Sequence, residues 1–388
     1  MRILIVGAGI AGLTLAALLQ RQGESPTVID RRHEDADLGY GLALWPHGSR
    51  VFHALGVHDA FIERSEPMSR YVARDGAGTE LTSSSMPESI ADYGHLGIID
   101  RGDLLGILRD AADGLDLRDG VSIEHLTPRG EQVETVLSDG TEASFDLVVG
   151  ADGIRSRVRE LMLGRRIPDH DTGWGCYVWW ADADLAAPGE TTERWGAGSF
   201  LGTYPSRDQL CVIAGAPLET LRGDAADGVG RADGAGRAAR LASLLRPYGV
   251  PVDRYLADLP ADDEPLFLWR MADVRSPLWT DGRIALVGDA AAAFLPTAGI
   301  GASMALESAA ALANELSRTD ETYVAKALKL YERRRRRRVE GAQTQSRRLA
   351  KLMFVRSPVA AWARDQALRH ATMEQVVGPL IKDLRRPI

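Results

Sequence analysis

Lysine and cysteine are scarce in this sequence. Among 388 residues the only lysines are Lys326, Lys329, Lys351 and Lys382, so the first 325 residues have none and positive charge comes almost wholly from arginine. Chemistry that needs a lysine amine early in the chain is excluded. The two cysteines, Cys176 and Cys211, form no C-x-x-C pair; this gives no metal signal and fits a reducing cytoplasm. A long uninterrupted apolar run is also missing. The only candidate, "MRILIVGAGIAGLTLAALL", is broken by glycine and has no A-x-A-like cleavage site, so neither a membrane span nor a signal peptide is expected. Histidines 33, 47, 53 and 58 cluster without an H-E-x-x-H-type spacing. They carry no metal site and read as loop and helix-surface residues. A net charge of −8, with no aromatic residues interleaved in the basic run Arg333–Arg338, argues against nucleic-acid binding; that run reads as a solvated helix with some arginines paired to acidic neighbours.

What the sequence does contain begins at once. "RILIVG" is a strand-length apolar run of the kind buried in a parallel sheet. "GAGIAG" follows with Gly7, Gly9 and Gly12 in G-x-G-x-x-G spacing. "LTLAALLQRQG" then has helical periodicity, and "PTVID" is a second strand ending at Asp30. Each part has a physical task. Gly7 allows the tight turn, Gly9 lets the backbone approach a pyrophosphate, and Gly12 lets the helix pack on the strand. The helix N-terminus offers free N–H groups to the phosphates, and a carboxylate at Asp30 can bind ribose hydroxyls. This unit suits NAD or FAD equally. Two later segments repeat the strand-and-turn logic: "DLVVGADGIRSRVRE", with Asp152, and "RIALVGDAAAAFLPTAGIGAS", with Asp289, Gly299, Ile300 and Gly301.

This ordered set resembles the group A flavoprotein monooxygenases, the para-hydroxybenzoate-hydroxylase-like FAD enzymes. "GYGLALWPHGSRVFHALGV" is similar to that family's stretch after the second strand, and "YERRRRRRVE" to its arginine-bearing late helix. The resemblance spans nearly the whole chain. It implies an α/β fold: a Rossmann-like, glutathione-reductase-type FAD domain (1–68, 99–173 and 270–330), an inserted antiparallel β-sheet substrate domain (69–98 and 174–269), and C-terminal helices (331–388). It implies non-covalent FAD, with the ADP half on Gly7, Gly9, Gly12 and Asp30, Arg31 flanking the adenosine, and Arg101 reaching the phosphates. Asp152 would order the cofactor and the reduced-nicotinamide side. Asp289 would bind the ribityl chain, with Gly299, Ile300 and Gly301 beside the ring. NADH or NADPH would serve as a transient reductant, and dioxygen would give a C4a-hydroperoxyflavin that hydroxylates an electron-rich aromatic.

The sequence departs from the family pattern at Ala292, where many members have His, and at Ile300 and Ser303, where many have Gln and Asn. Aromatic residues concentrate in "CYVWWADADL" and "TERWGAGSFLGTYP". Tyr177, Trp179, Phe200 and Tyr204, with Phe294 and Pro296, are the candidate pocket lining, whereas Trp180 and Trp195 read as core. Some members have arginines where this chain has Ser199 and Phe200. Without that anchor for a small anion such as urate, a larger, less charged phenolic, quinone-like or heteroaromatic substrate is expected. No catalytic acid or base is evident; His47 in "WPHG" is a candidate set against a loop histidine with no role. The Gly/Ala/Asp-rich segment from Arg222 reads as a surface loop leading into a helix. The expected protein is a cytoplasmic monomer or homodimer. A flavin-dependent halogenase is excluded by the absence of early lysine and of a W-x-W-x-I-P motif. A flavin-dependent reductase of an unsaturated apolar substrate, or a flavin-binding protein without catalysis, remains as the alternative.

Overall fold

Four consecutive apolar residues, Ile3–Val6, form a strand with every side chain buried. A strand apolar on both faces needs cover on both, which a parallel sheet flanked by helices supplies. The computed structural model, which describes residues 1–33, 39–85, 94–222, 236–261 and 266–370, puts this strand between Leu147–Gly150 and Thr27–Asp30. The sheet continues to Ile284–Leu286 on one side and Asp116–Asp119 on the other, all parallel, and Thr280–Asp281 adds a short antiparallel edge. Register aligns the strand ends: Val6 lies opposite Gly150, and Gly150 opposite Leu286. The glycine loop, the turn at Asp152 and the turn at Asp289 therefore leave from the same edge. Helix Ile10–Arg21 follows the first of these turns and packs against helix Gly301–Leu316, which follows the last.

A second sheet has seven strands, in the order Phe267–Arg275, His170–Asp182, Gln209–Pro217, Phe200–Ser206, Glu190–Trp195, Arg70–Asp75 and Glu80–Ser85. Its neighbours pair antiparallel except Glu190–Trp195 with Arg70–Asp75, which run parallel. The sheet is thus antiparallel as expected but for that one pair: these two strands come from distant parts of the chain, so no hairpin fixes their direction. The boundaries also differ, since the strands start at His170 and run on to Arg275. Two smaller sheets, Gly41–Leu44 with Gly97–Asp100 and Ser65–Pro67, and the meander Ile123–Phe145, complete the β-structure among the described residues. Most of the Gly-rich segment, 223–235, and the tail 371–388 lie outside the described residues; helix Arg237–Leu245 follows the former.

The arginine run sits in a 30-residue helix, Val324–Met353. At 3.6 residues per turn six consecutive arginines cannot share a face. Arg333 and Arg337 are exposed, while Arg336 pairs with Glu332 and Glu340 along the helix. Arg335, 1% exposed, turns inward and meets the fully buried Glu307 of helix Gly301–Leu316 at 2.6 Å; Arg338 meets the same carboxylate at 2.7 Å. Reading the run as solvated therefore misses its two buried members. Beside them His47 is corrected too. It lies in the short helix Pro46–Ser49 and is 1% exposed, with neither ring nitrogen hydrogen-bonded to the described residues. Burial, then Arg338, Arg335 and Arg50, hold its pKa well below the usual value, so the ring is neutral.

Removing one member of a buried ion pair leaves an uncompensated charge, at a cost of about 3–5 kcal/mol. Glu307→Gln is expected to lose stability of that order in urea unfolding. Arg333→Ala, two positions before Arg335 and on the exposed face, is expected to change it by less than about 0.5 kcal/mol.

Candidate functional site

The glycine loop is held from beneath. Gly7 has φ +115°, and a Cβ there would lie 2.4 Å from the Ala151 carbonyl oxygen. A Cβ on Gly12 would lie 1.8 Å from the Gly7 oxygen, whereas Gly9 faces open space. Any larger residue at Gly7 or Gly12 would push the loop off the sheet edge, and Gly9 is where a ligand can approach. Asp30 braces the loop: its Oδ2 accepts from the Ala8 N–H at 2.8 Å and its Oδ1 from the Arg32 N–H at 2.9 Å. Arg31 beside it is exposed. Gly9 caps helix Ile10–Arg21 with no side-chain bond, so the first-turn N–H groups remain available to an anion.

Asp152 is committed to local structure. It accepts from Ser156 Oγ at 2.5 Å, the Arg157 N–H at 2.6 Å and the Val158 N–H at 3.0 Å, and so caps helix Arg157–Leu163. Burial raises its pKa, against the pull of these bonds. The same helix carries a residue that the motif reading passed over. Arg159 is 5% exposed and donates from Nη1 to the Ala290 carbonyl at 2.9 Å, joining the Asp152 turn to the Asp289 turn. Its signal in the sequence was an arginine seven residues after Asp152 on the buried side of a short helix.

Asp289 is unlike the other acids. It is deeply surrounded by protein yet open to solvent, which places it on the floor of a cleft. Burial raises its pKa from the usual 3.8 to about 6, opposed by Arg159 and then Arg101. Arg101, at the start of helix Arg101–Ala111, therefore brings its charge to this side of the cleft; its guanidinium lies 5.7 Å from the Tyr40 ring. Helix Gly301–Leu316 also begins without a side-chain cap. Gly299 turns the chain at φ +57° ahead of it, and Ile300 points into the core at 2% exposure, leaving only its backbone for a ligand. Ser303 is fully buried and accepts from the Trp45 N–H at 2.9 Å, so it anchors the neighbouring segment and offers nothing to the cleft. Ala292 is buried as well.

Across the cleft the second sheet presents alternate residues. Trp174, Cys176 and Val178 pack with Leu295 of the Asp289 loop, together with half-buried Trp180, Tyr204 and Tyr40. Cys211 is on this face too, accepting from the Gly41 N–H at 3.2 Å. Tyr177 and Trp179 are corrected: they face the other way, into a core with Leu241, Tyr248 and Tyr255, and Trp179 Nε1 donates to the Tyr255 carbonyl at 2.8 Å. Strand alternation makes this unavoidable once Trp180 faces the cleft, and the reading of Trp180 as plain core is corrected with it. Phe294 packs into the main core, with its Cβ 3.5 Å from where a Cβ on Gly301 would lie. Phe200 points to the cleft side but packs with Leu81, Trp195, Met353 and Leu368. Pro296 is half-buried at the start of the turn Pro296–Ala298.

Two long helices with uncapped N-termini, a glycine loop with one open position and an acid on a cleft floor together fit a dinucleotide whose pyrophosphate meets one helix and whose ring meets the other. The cradle is that of a flavoprotein oxidoreductase. A family model described as FAD binding domain matches residues 1–196 and 255–346. The chain belongs to this family of FAD-dependent monooxygenases, the group A flavoproteins. It is 31% identical over 379 residues to 2-heptyl-3-hydroxy-4(1H)-quinolone synthase of Pseudomonas aeruginosa, covering 95% of this chain and 94% of that one. It is 28% identical to aurachin C monooxygenase/isomerase of Stigmatella aurantiaca, covering 96% and 95%. In fold it is similar to HpxO of Klebsiella pneumoniae, solved with FAD and uric acid: TM-score 0.87, 24% identity, 99% of this chain and 96% of that one.

Asp289 gives a pH-dependent expectation. In cofactor-free protein its raised pKa means that the unfolded chain ionises first, so the cost to folding develops from pH 3.8 upward and is complete above about 6. Cofactor-free Asp289→Asn should therefore be more stable than the parent at about pH 7, with the difference shrinking towards pH 4, as read by thermal unfolding. The same variant should hold FAD more weakly, and Asp289→Ala should purify largely without it. Full flavin retention in Asp289→Ala, measured by absorption, contradicts the assigned contact.

Proposed function

We propose that this FAD monooxygenase consumes NADH or NADPH and hydroxylates a neutral, bicyclic or larger phenolic or heteroaromatic compound in the cytoplasm. The observation that carries the proposal is the pairing of an FAD cradle with a mostly apolar sheet face, on which the stretch Ser199–Phe200 supplies no arginine: Ser199 turns away to Tyr248 and Phe200 packs with apolar side chains. The names of the two relatives above, a quinolone synthase and an aurachin monooxygenase, point to bicyclic heteroaromatics and support the reading.

FAD, when bound, supplies electron transfer and the activation of dioxygen. The residues of the chain do the rest. The first turn of helix Ile10–Arg21 and Arg101 hold the phosphates, and Asp30 braces the glycine loop against the ribose. Asp289 takes a ribityl hydroxyl. The uncapped N–H groups at Gly301 and Ala302, at the positive end of a 16-residue helix, would stabilise the negative charge that a reduced flavin ring carries. Leu295, Val178 and Cys176 keep water from the reacting face. Two buried free thiols are in keeping with a reducing compartment, and among the described residues no helix is long and apolar enough to cross a membrane.

The test is absorption spectroscopy followed by a screen. Purified protein should release FAD on heat denaturation. Neutral bicyclic phenols or quinolones should stimulate NADH or NADPH oxidation above the basal rate, with oxygen incorporated into the product. Preference for small benzoates overturns the substrate class, and undiminished turnover without oxygen favours the reductase alternative.

A further inference from the structure

On the cleft side of the seven-stranded sheet lies a carboxylate with no cation. Glu193, in strand Glu190–Trp195, is 8% exposed and makes no ion pair among the described residues. Its Oε1 accepts from Tyr204 Oη at 2.8 Å, and its Oε2 from Tyr71 Oη at 2.7 Å and Trp195 Nε1 at 3.0 Å. The Arg364 guanidinium, 5.8 Å from the Trp195 ring, is occupied by Asp365 and by the Trp195 and Leu352 carbonyls. Glu193 lies opposite Gly202 in register, and Tyr204 folds back over that glycine. A Cβ on Gly202 would lie 2.6 Å from the Tyr204 ring, so the glycine is what lets the phenol reach the carboxylate. Tyr71 and Tyr204 lie deep in the protein but keep accessible surface, as Asp289 does, and Tyr204 belongs to the cluster that meets Leu295 of the Asp289 loop.

A tyrosine hydroxyl has one proton. Both protons here are given to Glu193, so towards the cleft each hydroxyl has only acceptor lone pairs left, backed by a buried carboxylate. We propose that Glu193, by fixing the hydroxyls of Tyr71 and Tyr204, makes this wall of the substrate cleft acceptor-only, so that the site selects a neutral aromatic carrying an O–H or ring N–H donor and rejects aromatic carboxylates. Glu193 is a positioning residue; Tyr71 and Tyr204 meet the ligand. Burial raises both phenols, so neither tyrosine is a phenolate; burial also raises the Glu193 carboxyl, and the three hydrogen bonds it accepts oppose that rise. A ligand that lacks the donor leaves buried acceptors unpaired, and an anion adds repulsion across a desolvated site.

The inference builds on the monooxygenase reading, and its test separates the two. Three probes share one frame: 2-naphthol (donor), 2-methoxynaphthalene (acceptor only) and 2-naphthoate (anion). Their binding to the full chain is measured by calorimetry, with FAD loading read separately by absorption. 2-Naphthol should bind about tenfold or more tightly than either of the others, the equivalent of one unpaired buried group. Glu193→Gln should shrink the discrimination against 2-naphthoate by about tenfold, because the charge is gone and an amide proton frees one phenol to donate. Tyr204→Phe, which keeps the ring over Gly202, should weaken 2-naphthol and leave 2-methoxynaphthalene unchanged. Equal binding of the three probes, tighter binding of 2-naphthoate, no binding of 2-naphthol, or an unchanged preference in both variants overturns the proposal. A chain that takes up no FAD but keeps the donor preference overturns the monooxygenase reading and leaves the proposed wall intact.

Discussion

Glu307 between Arg335 and Arg338 is the contact on which the geometry of the cofactor cleft depends. A helix N-terminus can serve a ligand only if something else fixes the helix axis, because an uncapped end has no local bond to hold it. Helix Gly301–Leu316 is fixed at its middle by this ion pair and at its start by Ser303, which receives the Trp45 N–H. The arginine helix, in turn, is tied to the Asp289 loop. Gln343 donates to the Val274 and Ala293 carbonyls, and Thr297 donates to the Ser346 carbonyl. Arg347 reaches the fully buried Asp273. The polar groups at the mouth of the cleft can thus stay free for a ligand because their supports lie deeper.

The same division of labour explains the acids. Asp30 and Asp152 spend their oxygens on backbone N–H groups and shape the turns. Asp289 keeps its carboxylate for the cleft, with Arg159 and Arg101 as the charges that oppose its burial. Three aspartates in similar strand-to-turn settings therefore do different work, and the number of local N–H donors pointing at each one decides which. Across the cleft, Glu193 shows the reverse arrangement: its oxygens are filled by side-chain donors, and its influence is exerted through them.

Much of the architecture was legible in the sequence, because the parallel sheet is built from short, continuously apolar strands followed by glycine turns. The signal at Gly7, Gly9, Gly12, Asp152 and Asp289 is local. The misreadings have a common physical origin in phase and depth, which local pattern leaves open. In "CYVWWAD" the alternation is plain, but nothing local says which set faces the cleft, so Tyr177 and Trp179 were assigned to the wrong side. His47 reads as a loop residue because what surrounds it, helix Gly301–Leu316 packed on its own short helix and Arg335 and Arg338 nearby, lies more than 250 residues away. Glu193 gave no signal: a lone acid in a strand acquires meaning only when Tyr71 and Tyr204 are brought to it from other strands. The parallel pairing of Arg70–Asp75 with Glu190–Trp195 was hidden for the same reason.

The strand Ile3–Val6 has a consequence for how the chain must mature. Its two neighbours come from residues 27–30 and 147–150, and the next strand out from 284–286. The substrate-side sheet is likewise assembled from segments 70–85, 170–217 and 267–275, so the chain passes back and forth between the two sheets. The N-terminal nucleotide-binding unit, although complete in sequence within its first thirty residues, has no finished sheet until residues 284–286 have left the ribosome. Long-range pairing of this kind slows folding and leaves apolar strand edges exposed in the interim. Arg2 and Asp146, which flank the first pairing and bond to each other, place charge at the end of those edges during the wait.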